Sequence, residues 1–379
     1  MANSHPLEGR KSKLIVLGTV ILLSTWGGFA FLEILLRIWT PPQIRMMGKQ
    51  ILLKKNLVIE NNYNFNSDKI QNHIVIKRNS LGFRGDEPPI NFSKHKTLVA
   101  VGGSTTECIF ITEGRTWIDI VGQKLATKFP GIWVNNAGID GHSTCGNIAM
   151  VDQYLSQLKP NYAMFLVGVN DMAVENCRSE DAKQLVSSPI TGLTQRLLDK
   201  SMVYTYVNYL VNRKVAHGMV AMSDSIFDYN VLGDSTFYDK VGKDDDQKFD
   251  KLLEEYRKRL ETLIFKTKES SIKPILITQP AVYGKGIDPT TGVDLADLIV
   301  ADFTEDKKIR RGEDKWNILE KYNQVTREVA SKKNVPLIEL AREMPKDTKY
   351  YYDFVHYTEA GAAKVGEIVS AHLVDIIKD

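Results

Sequence analysis

The sequence predicts an α/β protein with a central parallel sheet and helices on both faces, preceded by one N-terminal transmembrane helix. Three observations carry this prediction. Leu14 to Leu32 contains no charged residue. From Lys96 onward, short apolar runs alternate with helical stretches. The first of them, 97–101, is apolar without alternation, as a strand covered on both faces requires.

The apolar segment reads LIVLGTVILLSTWGGFAFL. At helical rise it spans roughly 30 Å, the thickness of a bilayer core. Glu33 interrupts it, Ile34 to Leu36 continue it to Arg37, and Trp39 falls where an interfacial aromatic is expected. A cleaved signal peptide is the competing reading, but the run continues past Gly28-Phe29-Ala30 without a polar cleavage region. A buried soluble helix is disfavoured because the run is apolar on every face. Basic residues flank the span on both sides: Arg10, Lys11 and Lys13 before it, Arg37, Arg45 and Lys49 after it. A short basic N-terminus before an apolar run is a signal-anchor pattern, which places the large domain outside the cytoplasm, periplasmic or extracellular. The expected organisation is a tail over 1–13, an anchor over 14–36, a connecting region over 37–95 and a main α/β domain over 96–379.

Within the connecting region, Pro41-Pro42 ends the helix, residues 61–72 are polar, and 73–76 form a short strand. Five strands follow, at 97–101, 133–136, 162–168, 273–279 and 335–340. Helices are expected near 115–128, 147–158, 248–269, 314–332 and 359–377. Residues 178–247 do not fit the alternation. They hold an apolar helical run from Met202 to Val211 and are read as an insertion or lid over the strand ends. Residues 281–312 are a second long connection.

The composition is that of an ordinary folded chain, and a net charge of +3 without a Lys/Arg run gives no reason to expect nucleic acid. No spacing of metal ligands is present, and neither metal nor cofactor is expected.

Parallel strands gather their C-terminal ends, so chemistry is sought there. The first strand ends at Gly102-Gly103-Ser104-Thr105-Thr106-Glu107. The glycines let the chain turn tightly and leave Ser104 at the start of a helix, its hydroxyl exposed and its N–H free. The competing reading is an N-cap serine with Glu107 completing a capping box. The second strand runs out through Ala137-Gly138 to Gly141-His142-Ser143, where Gly141 offers an unhindered N–H. The third ends at Gly168-Val169-Asn170-Asp171. There Asn170 presents a side-chain donor and Asp171 can hold the loop by accepting backbone N–H groups. Near the C-terminus, Asp353 stands three positions before His356. At that spacing a carboxylate can fix the imidazole tautomer and leave Nε2 to take a serine proton. Thr358 caps the last helix.

Taken together, these segments resemble the SGNH (GDSL-like) hydrolase family, whose four blocks carry Ser, Gly, Asn and His in that order. The resemblance covers 97–378, with 178–247 outside it. The matching residues are Ser104, Gly141, Asn170 and His356, and Asp353 matches the family's Asp-x-x-His. It implies a flavodoxin-like three-layer α/β/α sandwich and ester hydrolysis by a catalytic triad of Ser104, Asp353 and His356. It also implies an oxyanion hole made by the Ser104 N–H, the Gly141 N–H and the Asn170 side chain. Gly103 replaces the family's acidic residue, which is not a triad member. Gly233-Asp234-Ser235-Thr236 matches the short signature by letters but lacks a preceding apolar strand.

The expected function is a membrane-anchored serine esterase that removes O-acyl groups through an acyl-enzyme. The resemblance suggests acylated small molecules, cell-envelope glycans or lipids as substrates. O-acyl transfer to a glycan would use the same motifs. A non-catalytic anchored binding protein is the third reading, and the intact Ser104, Asp353 and His356 argue against it. Cys108, Cys145 and Cys177 all fall shortly after site blocks. A Cys145–Cys177 bridge suits an oxidising compartment, with buried free thiols as the alternative.

Overall fold

The apolar run after Lys96 becomes β1, Thr97–Gly102, and all six of its residues are buried. The computed structural model describes residues 6–41, 44–64, 69–172, 174, 177, 193–210, 246–301 and 309–378. The chain forms two compact units: Met1–Leu52 with Gln184–Val215, and Leu53–Lys183 with Ala216–Asp379.

In the second unit, β1 lies at the centre of a five-stranded sheet with β2 (Trp133–Asn136), β3 (Tyr162–Val167), β4 (Lys273–Thr278) and β5 (Leu337–Ile338), ordered β5-β4-β3-β1-β2. Every pairing is parallel, with Leu98 opposite Tyr162 on one side and Val134 on the other. This is the flavodoxin-like order. The chain leaves β1 for one neighbour and returns to the other, which opens a crevice at the carboxyl ends of β1 and β3.

Leu98, Ala100, Met164, Leu166, Ile275 and Ile277 share a core with α2 (Trp117–Ala126) and α6 (Glu359–Ile376), which pack on each other. Between these two in sequence come α3 (Thr144–Met150), α4 (Asp246–Glu269) and α5 (Gly312–Lys333). Helix α4 packs against both α3 and α5. Helix α3 starts three residues before the expected 147, because the Ser143 hydroxyl accepts the Cys145 N–H and caps it. It continues through a π turn, Val151–Leu155. The fifth strand is shorter than expected, reduced to the two residues that pair with Leu276 and Ile277.

Within the connecting region, residues from Leu53 onward belong to the second unit. The strand expected at 73–76 is His73–Arg78, and it pairs antiparallel with Leu57–Asn62, a strand the Asn-rich sequence conceals. In the 281–312 connection, Ile299–Ala301 pairs with Ile309–Arg311.

In the first unit, residues Lys13–Ile38 of the helix Pro6–Ile38 are long and apolar enough to cross a bilayer, and their most apolar stretch is unburied. Leu36, Ile44, Met47 and Met202 form this unit's small core. The insertion at 178–247 is described only over 193–210 and its last two residues. It forms the helix Leu193–Leu198 and a helix over 202–210, which packs on the end of the N-terminal helix. The Gly233 to Thr236 signature lies outside the described residues.

Candidate active site

Ser104 follows β1 as the first residue of α1, Ser104–Glu107, with Gly103 as the N-cap. No side chain caps this helix, so the competing reading of Ser104 as an N-cap with Glu107 completing a capping box does not hold. Glu107 is buried and turned elsewhere. One carboxylate oxygen accepts from the Arg78 guanidinium at 2.6 Å, the other from the Asp140 N–H at 2.6 Å. Glu107 thereby holds the loop that carries Gly141. Arg84, 2% exposed, donates to the carbonyls of Glu107, Cys108 and Ile111 and fixes the exit from α1.

The turn is held through glycine. A Cβ at Gly103 would stand 2.2 Å from Asn170 Nδ2 and 3.0 Å from the His142 carbonyl. Asn170 Nδ2 itself donates to that carbonyl at 3.0 Å, which ties the end of β3 to the loop after β2. The residue in the family's acidic position therefore makes room for the Asn170 amide. Gly103→Ala is expected to displace that amide and cut kcat about 10²-fold, the scale of losing one oxyanion donor. Steady-state kinetics measure it, and a variant within threefold of the parent would show that Asn170 tolerates the shift.

Gly141 sits in an exposed turn with φ of 75°, a conformation natural to glycine. Asp171, as expected, holds its loop by accepting from the Thr144 N–H and hydroxyl at the start of α3. Arg259 on α4 donates to the Thr144 hydroxyl, the Val174 carbonyl and Asp171. Burial raises the Asp171 pKa more than Arg259 and the Thr144 hydrogen bonds lower it. Cys145 is joined to Cys177, which ties the chain beyond β3 to α3. Closing a loop of 32 residues is worth about 3–4 kcal/mol in the chain-entropy picture. Cys108 is free and buried at the end of α1, and burial pushes its thiol up to about 12.

The loop before α6 carries the candidate base, His356. Tyr351 and Tyr357 pair across it and close it. Inside, one Asp353 oxygen accepts the N–H groups of Val355 and His356 at 2.9 and 2.7 Å. The other lies 2.6 Å from His356 Nδ1. A three-residue spacing thus lets one carboxylate shape its own loop and orient the ring. His356 Nε2 lies 2.7 Å from Ser104 Oγ. Tyr352 stacks on the imidazole at 5.6 Å and is itself packed edge-on against Phe110. Thr358 accepts from the Gly361 N–H and caps α6.

Burial opposes a charge on His356, but the carboxylates of Asp353 and Asp140 outweigh it and raise its pKa above the ordinary 6.5. Burial likewise raises Asp353, yet His356 and the two backbone N–H groups bring it net below the usual carboxylate range. The pair is an imidazole poised to accept a proton beside a carboxylate that stays ionised.

The model of the GDSL-like Lipase/Acylhydrolase family matches residues 100–364. The chain belongs to the GDSL-like lipase/acylhydrolase family. No curated protein matches it. Solved structures similar to this GDSL-like chain include Axe2, an acetylxylan esterase from Geobacillus stearothermophilus, at 15% identity and a TM-score of 0.40, covering 73% of this chain and 94% of that one. LAE5, an alpha/beta hydrolase enzyme from the metagenome of Lake Arreo, is 16% identical with a TM-score of 0.40 and the same two coverages. TesA is 14% identical, with a TM-score of 0.40, over 74% of this chain and 99% of that one.

The structure thus brings Ser104, Asp353 and His356 together and sets Asn170 against the turn that carries Ser104. Among the described residues, no group of three His, Cys, Asp or Glu side chains could hold a metal ion. Sequence reasoning missed Asp140, Arg78, Arg84, Arg259 and the function of Glu107. The signal for Asp140 was its place beside Gly141. The arginines gave none, because their partners lie far off along the chain.

Proposed function

We propose that this GDSL-type acylhydrolase is a membrane-anchored serine esterase working through an acyl-enzyme. The observation that carries the reading is the unbroken Ser104–His356–Asp353 hydrogen-bond chain, 2.7 and 2.6 Å. Ser104 Oγ attacks the ester carbonyl carbon as His356 Nε2 takes its proton. The tetrahedral oxyanion is met by the Ser104 and Gly141 N–H groups and the Asn170 amide. The intermediate collapses, and His356 returns the proton to the departing alkoxide. Water then attacks the acyl-Ser104 ester with His356 again as base, releasing the carboxylic acid and restoring the hydroxyl.

The N-terminal helix supports anchoring, and the Cys145–Cys177 bridge supports a catalytic domain outside the cytoplasm, where disulfides persist. O-acyl groups on cell-envelope glycans or lipids are the proposed substrate class.

A fluorophosphonate probe tests the nucleophile. It should add covalently to the peptide containing Ser104 and abolish esterase activity in proportion. Labelling of a different serine with parallel loss of activity would reject the assignment.

The base must be neutral to act. Its raised pKa means that kcat/KM should fall about tenfold per pH unit on the acid side of that pKa, which lies above 6.5. Asp140→Asn removes one of the charges that raise it and should move this acid limb to lower pH, with the triad retained. A pH–rate profile reads both, and an unmoved limb would mean that the Asp140 charge does not reach His356.

A further inference from the structure

The insertion segment 193–210 has a partner that no catalytic role explains. Glu33 is the one acidic residue between Lys13 and Ile38. It accepts hydrogen bonds from the Ser201 hydroxyl and from the N–H groups of Met202 and Val203, the first two residues of the 202–210 helix. Arg37, one turn on, pairs with Glu33 and donates to the Lys200 carbonyl at 2.6 Å. The two charged residues that interrupt the apolar helix are thus both committed to holding this segment. Met202 is buried with Leu36, Ile44 and Met47, and Val203, Tyr206 and Tyr209 pack against the same cluster.

The height of this attachment follows from the sequence. The uncharged stretch Leu14 to Leu32 accounts for roughly 30 Å of hydrocarbon. Glu33 to Leu36 therefore emerge at its boundary, and the segment bound there lies at headgroup level. The side chains it leaves outward suit that level. Leu197, Val207 and Leu210 are 63%, 49% and 43% exposed. Exposed Trp39 and the stacked Tyr206–Tyr209 pair are residue types favoured at the interface.

We propose that residues 193–210 form an interfacial membrane-binding segment. Glu33 and Arg37 clamp it to the end of the span, and its Leu197, Val207 and Leu210 enter the boundary between phospholipid headgroups and acyl chains. The proposal rests on the reading of the N-terminal helix as a membrane span.

The test uses the full chain in phosphatidylcholine–phosphatidylglycerol vesicles. Cys108 is buried and the other two cysteines are paired, so an introduced thiol is labelled selectively. Bimane is placed through Val207→Cys, through Ile21→Cys within the span, or through Lys128→Cys as an exposed aqueous reference. An interfacial helix buries its apolar face about 5–10 Å below the headgroups, so a shallow nitroxide lipid should roughly halve emission at 207 while aqueous iodide quenches it weakly. The label at 21 should respond to a mid-chain nitroxide. If iodide quenches 207 as strongly as 128 while 21 still responds to the mid-chain nitroxide, the inference is overturned and the span stands. A label at 207 shielded from both quenchers would show that protein, such as a second copy of the chain, covers the face, and would also overturn it. Iodide quenching at 21 would reject the span and the inference together.

Discussion

Ser104→Ala is expected to lower ester turnover by about 10⁶-fold, because in the proposed mechanism removing the nucleophile disables the triad as a unit. Ser104 Oγ is the atom that meets His356 Nε2, and the alanine leaves the imidazole with nothing to activate but water. The orienting carboxylate and the oxyanion donors remain, so a residual rate about 10³–10⁴ above the uncatalysed one should persist. Hydrolysis of a p-nitrophenyl ester at saturating enzyme measures both rates. Folding is checked separately through the thermal midpoint, since the hydroxyl faces the crevice rather than the core. Activity within tenfold of the parent would end the nucleophile assignment.

Asp353→Asn should cost about 10⁴-fold in kcat while leaving the loop folded. The two carboxylate oxygens have separate tasks. The one that accepts from Val355 and His356 N–H can be replaced by the amide oxygen. The one beside His356 Nδ1 becomes an NH₂ group, a donor where an acceptor is needed. The ring then carries its proton on Nε2 and presents a donor to Ser104. Losing the anion also removes the strongest contribution raising the His356 pKa, so the acid limb should shift downward as the rate falls. A loss of less than tenfold would mean that the carboxylate shapes the loop without orienting the base.

Most of the sheet was legible because strands buried on both faces read as near-continuous apolar runs. Thr97–Gly102 and Tyr162–Val167 show this, each buried along its whole length. Trp133–Asn136 departs from it, its buried Asn135 and Asn136 being satisfied by hydrogen bonds. The blocks holding Ser104, Gly141 and Asn170 were legible because parallel strands deliver their ends to one edge, and the Asp353–His356 block because of its three-residue spacing before the last helix. What stayed hidden depended on partners distant in sequence. Leu57–Asn62 is a strand only because His73–Arg78 pairs with it, and its polar half reads as linker. Glu107 has the spacing of a capping box, yet Arg78 and the Asp140 N–H claim its carboxylate. The helical character of 202–210 could be read from its apolar spacing. Its attachment to Glu33 could not, because about 170 residues separate the two.

The third cysteine bears on how the chain reaches its oxidised state. Three thiols allow three different single bridges, and a mispaired one would wedge the serine turn against a neighbouring loop. Once the core closes around Cys108, its thiol is held at about 12 rather than the ordinary 9.0. That leaves it about a thousandfold poorer in the thiolate needed to attack another sulfur. Folding itself thereby withdraws the odd cysteine from scrambling, and the Cys145–Cys177 pair is kept without a dedicated guard.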